Sequence, residues 1–76
     1  MDAVTSQQIE DFARQGDVVV RFPILASHAH EVVGQVRNMR GDSGAKDSFL
    51  AAVEAAQESG LSARAELLQR YLPGID

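Results

Sequence analysis

Apolar side chains recur at spacings of three and four through most of the chain, and one short run departs from that period. Thr5 stands where a helix N-cap would, with Gln8 three residues on as its capping-box partner and Val4 placed to staple against Ile9. The helix this predicts closes at Gly16, with Ile9, Phe12 and Ala13 on its buried face and Gln7, Gln8, Asp11 and Arg14 on its solvated face. From Ile24 to about Arg40, the spacing of Leu25, Ala29, Val32, Val33, Val36 and Met39 predicts a second helix. Gly34 inside it marks either a close approach of another backbone or a weak point, and Arg37 and Arg40 in its last turn suit the helix dipole. Gly41-Asp42-Ser43-Gly44 reads as a turn, after which Asp42, Ser43 or Asp47 caps a third helix running to about Ser59 with Phe49, Leu50, Val53 and Ala56 as its stripe. Gly60 ends that helix; Ser62 opens a fourth, marked by Leu61, Ala65, Leu68 and Leu72 and stopped by Pro73-Gly74.

The exception is Asp17-Val18-Val19-Val20-Arg21-Phe22, dense in β-branched residues, bounded by Gly16 and stopped by Pro23, which predicts a strand. A lone strand must find partners for its backbone groups. It pairs with its copy in a homodimer, or adds to a partner's sheet, or packs as an irregular connector. The expected fold is therefore mainly α: a single domain over residues 1–76, a small bundle of about four helices with one short extended segment or strand at residues 17–22.

Composition narrows the chemistry. The 76 residues are 45% apolar and 24% charged, which is globular rather than disordered. Tyr71, Phe12, Phe22 and Phe49 are the only aromatics, so Val, Leu, Ile and Ala must fill the core. A chain this short buries only about 60% of its unfolded surface and gains from oligomerising or docking. The absence of cysteine excludes disulfides, thiolate zinc ligands and a cysteine nucleophile. No run approaches the roughly 20 apolar residues of a membrane span, and Met1-Asp2-Ala3-Val4-Thr5 lacks a signal peptide's basic, then apolar, layout; a cytoplasmic location is expected. The Ala, Val, Arg, Gly and Asp usage suggests a GC-rich bacterial or phage genome.

No catalytic, metal or cofactor constellation emerges. His28 and His30 with Glu31 are the one cluster of metal-ligand types, but two histidines at i, i+2 of a helix point roughly 200° apart and cannot grip one ion. Gly41-Asp42-Ser43-Gly44 lacks the Gly-Lys-Ser/Thr end and preceding strand of a phosphate loop, and Arg40-Gly41-Asp42 spells the adhesion tripeptide by chance. An enzyme is not expected. The net charge of -4 opposes purely electrostatic binding to nucleic acid. Even so, Arg21, Arg37, Arg40 and Lys46 gather most of the positive charge in the middle of the sequence, between acidic flanks.

The order strand, helix, glycine-containing turn, helix across residues 17–59, with Arg21-Phe22-Pro23 ending the strand, resembles a ribbon-helix-helix repressor. The resemblance implies a dimer whose paired strands enter the major groove with Asp17, Val19 and Arg21 outward and Val18, Val20 and Phe22 in the core. Ala56, Gly60-Leu61-Ser62 and Leu67, within residues 50–70, are similar to the core of a helix-turn-helix, except that Glu66 falls where an apolar residue is wanted. Two functional expectations follow. The leading one is a small non-enzymatic regulatory protein of the antiactivator, antitoxin or phage-inhibitor kind, binding a protein partner by adding residues 18–22 to its sheet, with Val19 and Arg21 giving specificity. The alternative is a dimeric DNA-binding transcriptional regulator that uses Arg21, Arg37, Arg40 and Lys46 on phosphates.

Overall fold

Five helices follow one another, α1 (Ala3–Ala13), α2 (Gly16–Arg21), α3 (Pro23–Arg40), α4 (Ala45–Glu58) and α5 (Ser62–Gln69), in a computed structural model that describes residues 3–70 and residue 72. Pro73-Gly74, expected to stop the last helix, lie outside the described residues. The mainly α bundle is as expected, with one more helix and, among the described residues, no strand.

The extra helix is the predicted strand. Residues 17–22 close helical hydrogen bonds from Val19 N–H to the Gln15 carbonyl (3.0 Å) and from Phe22 N–H to the Val18 carbonyl (2.7 Å). The reason is backbone satisfaction: a β preference is worth about 1 kcal/mol per residue at most, whereas an unpaired strand leaves every donor and acceptor to solvent or to a partner. A helical turn satisfies them locally. The paired ribbon implied by the repressor resemblance and the expected strand addition to a partner's sheet therefore have no counterpart here. Pro23 sets where α2 stops: it lacks an N–H and excludes the helical region for the residue before it. Phe22 accordingly sits at φ -133°, ψ 58°, and Pro23 restarts the chain as the first residue of α3.

Two glycine stops are as read, whereas Gly16, expected to close the first helix, is the first residue of α2, and α1 ends at Ala13. Gly41 and Gly60 take φ of 74° and 75°, where a Cβ would be strained. Each closes a Schellman pair: Gly41 N–H to the Asn38 carbonyl with Asp42 N–H to the Arg37 carbonyl, and Gly60 N–H to the Gln57 carbonyl with Leu61 N–H to the Ala56 carbonyl. The N-termini differ from expectation. Thr5 lies inside α1, and α4 begins after Gly44 with no side-chain cap from Asp42, Ser43 or Asp47.

α3 packs against α1, α2 and α4, and α4 carries α5. One apolar cluster joins Ala52, Val53, Ala56, Ala65 and Leu68 with Leu61; another joins Ala13, Val18 and Ala26 with Val19 and Ala29. The α4 and α5 stripes face inward nearly as read, although Leu50 is exposed. The stripes of α1 and α3 do not. α3 buries Ala26, Ser27, His30, Val33 and Gly34, leaving Leu25 and Met39 exposed. Small residues face α4 because the helices are close: a Cβ on Gly34 would stand 2.7 Å from Cδ2 of the buried Phe49. What approaches Gly34 is a ring rather than a backbone. α1 buries Ser6, Glu10 and Ala13 in place of Ile9, Phe12 and Ala13, and Phe12 is exposed.

Candidate functional site

Glu10 explains the rotation of α1. Its carboxylate is almost wholly buried and meets groups from two other helices: Arg37 Nη1 donates to Oε1, Ser48 Oγ donates to the same oxygen at 3.3 Å, and His30 Nδ1 lies 3.3 Å from Oε2. Arg37 also donates to Ser48 Oγ at 2.8 Å, and Arg14, just past the end of α1, stands 3.7 Å from Oε2. A carboxylate taken from water requires such compensation, so α1 turns Glu10 inward and leaves Phe12 outside. Burial pushes the His30 imidazole below its ordinary value, opposed by the Glu10 hydrogen bond and charge and reinforced by Arg14. The ring is therefore neutral near pH 7, and with its proton on Nδ1 it donates to Glu10.

A second polar set ties α5 to α3. Arg64 Nε donates to Ser27 Oγ at 2.9 Å and Arg64 Nη2 to Glu31 at 2.7 Å, while Ser27 Oγ donates to the Ala52 carbonyl at 2.8 Å. His28, the more exposed histidine, pairs with Glu31 at 3.5 Å. Arg64→Ala is expected to lower stability by about 1.5–3 kcal/mol, the range for a hydrogen bond to a charged group. The loss should appear first as faster hydrogen exchange in α5, and unchanged α5 protection would show that the tie is idle.

Among the described residues no three of His, Asp or Glu stand together as metal ligands, and no helix is long and apolar enough to cross a membrane. The surface offers something different at the elbow between α2 and α3. Val20 is 81% exposed, Ile24 60%, Phe22 55% and Leu25 47%. With Arg21, Pro23 and His28, the last three line an open depression of about 480 Å³. Pro23 also borders a neighbouring hollow formed by Val19, Val20, Glu58 and Ser59, so the apolar surface continues along α2. The elbow follows from the Phe22-Pro23 break, which stops a helix in mid-run and splays its apolar residues around a corner.

No protein-family model matches the chain, nor does any curated protein or solved structure.

The residues singled out in the sequence fall in three places. Val19 is half-buried in the cluster of Ala13, Val18 and Ala26, and Arg21 lines the elbow depression. Arg37 is engaged inside by Glu10. Arg40 is exposed at the far end of α3, which at 18 residues is roughly 27 Å long, and Lys46 is exposed in the first turn of α4, so the four cations form no single face. The helix, glycine turn, helix order of the second resemblance is present as α4, Gly60 and α5, with Glu66 exposed and the packing left to Ala65 and Leu68. Sequence reasoning missed Glu10 and Ser48. The signal available was the spacing of His30, Val33 and Arg37 by three and four, which puts an imidazole and a guanidinium on one face of α3 and calls for a buried acid opposite.

Proposed function

We propose that this chain is a small non-enzymatic regulatory protein that binds another protein through the α2–α3 elbow, as antiactivators, antitoxins and phage inhibitors do. The observation that carries this reading is the outward placement of Val20, Phe22, Ile24 and Leu25 within six consecutive residues. Contiguous apolar surface of this kind is held out of a core at a cost in stability and marks interaction sites in soluble proteins. Recognition would be by side chains, since the backbone of α2 is already hydrogen-bonded. Arg21 at the rim would supply direction and Val19 would brace α2 from beneath. Binding to DNA has less support, because Arg37 faces Glu10 and Arg21 lies a helix length from Arg40 and Lys46.

A photo-crosslinking residue at Val20, in the native cells, should give a discrete adduct that the same probe at Lys46 does not give. Ile24→Asp should abolish that adduct while shifting stability by no more than about 0.5 kcal/mol, because Ile24 is already exposed. An adduct at twice the chain mass would identify the partner as a second copy. Equal labelling from both positions, or an adduct indifferent to Ile24→Asp, would end the proposal.

A further inference from the structure

α1 is attached in a way that differs from the other long helices. Among the residues of α1 whose burial is described, Ser6, Glu10 and Ala13 face inward, so the fully buried apolar group it contributes there is one alanine, with Ile9 half-buried and Val4 and Phe12 exposed. A methyl group hides little apolar surface and so contributes little to docking. What holds α1 to α3 and α4 is therefore chiefly the polar cluster around Glu10.

We infer that α1 is a latch released by acid: the Glu10, His30, Arg37 and Ser48 cluster holds it down while His30 is neutral, and protonation of His30 frees it. The charged groups around the ring come from every helix that meets it. α1 brings Glu10 at 3.3 Å, and Arg14 follows just past its end; α3 brings Arg37, which shares the Glu10 carboxylate; α4 brings Ser48 to that carboxylate. Glu54 and Glu58 of α4 border, with His30, Ala13, Arg14 and Val19, a hollow of about 210 Å³. The acids favour an imidazolium. Against them stand burial and Arg14, and Arg37 already neutralises Glu10, so a charged His30 would add a further cation to one buried carboxylate.

The docked ring thus binds a proton less readily than an exposed one, whose pKa is about 6.5. Docking is at full strength above about pH 6.5 and weakens as pH falls below it, and one proton shifts the docked-to-free ratio by up to about tenfold per pH unit. Release would uncover α3 around Ala26 and His30 and take Ala13 from beside Val18, loosening α2. This device stands whether or not the elbow binds a partner.

The absence of cysteine allows clean spin-labelling at the exposed Gln8, Gln35 and Gln57. Between about pH 7.5 and pH 5, the Gln8→Cys/Gln57→Cys pair, α1 to α4, should develop a longer distance, while the Gln35→Cys/Gln57→Cys pair, α3 to α4, stays fixed. His30→Gln, which cannot ionise but can still donate to Glu10, should flatten the response; His28→Gln should leave it unchanged. If His30→Gln does not fold, the His30 ring followed by NMR in the unsubstituted chain decides the matter: its midpoint should lie below about 6.5 and coincide with the distance change. The latch is overturned by a first pair that stays fixed down to about pH 5, by both pairs lengthening together as in global unfolding, by a response that survives His30→Gln, or by a His30 midpoint at or above about 6.5.

Discussion

Glu10→Ala is expected to destabilise the protein by about 3 kcal/mol, the low end of the range for removing one partner of a buried ion pair. The low end applies because Arg37 keeps 20% of its side chain exposed and can turn partly to water, whereas His30 and Ser48 cannot. For a chain of this size the loss corresponds to a fall in Tm of roughly 12–24 °C, readable in a thermal melt. The mechanism makes a further demand. Replacing the pair together, as Glu10→Leu with Arg37→Met, should recover most of the loss, because the penalty lies in the orphaned charge rather than in an attraction forgone. A Glu10→Ala variant within about 1 kcal/mol of the parent would mean that the apolar contacts of Ala13 and Ile9 hold α1 and that the carboxylate is a passenger.

Phe49→Ala is expected to cost about 3–5 kcal/mol, since the ring is 3% exposed and is, among the described residues, the only aromatic in the buried hydrophobic set. Its position against Gly34 makes the effect diagnostic. Gly34→Ala alone should gain about 1 kcal/mol of helix propensity, yet it puts a methyl 2.7 Å from Phe49 Cδ2 and 2.8 Å from Cε2, which the packed ring cannot accept without moving. Overpacking costs about 1–3 kcal/mol, so the net change should be destabilising or, at best, neutral. In a Phe49→Leu background the same Gly34→Ala substitution should become stabilising. Urea unfolding of the four corners of this cycle measures the coupling. Additive effects would show that Gly34 is there for some reason other than the ring.

Much of the helical framework was legible. Gly41 and Gly60 lie just past the ends of their helices because a left-handed residue is needed there, and the stripes of Phe49, Val53 and Ala56 and of Ala65 and Leu68 were read correctly because each packs on one neighbouring layer. Residues 17–22 were misread for a physical reason. Val18, Val19 and Val20 carry β propensity, but a strand also needs a second strand, and whether one is present is not a local property. The elbow was half legible, since Pro23 marked the break while the outward turn of Val20 and Phe22 depended on how α2 lies against α3.

The sequence by itself determined the class of fold, the two glycine stops, the proline break and the absence of any cysteine chemistry, because each depends on one residue or on a spacing within a few residues. The tertiary structure decided which face of α1 and α3 turns inward. Periodicity says which residues share a face; it does not say which face is covered. That choice was made by Glu10 finding His30 and Arg37, 20 and 27 residues away; the spacing of His30 and Arg37 on one face of α3 calls for an acid, but nothing local says which acid in the chain meets them.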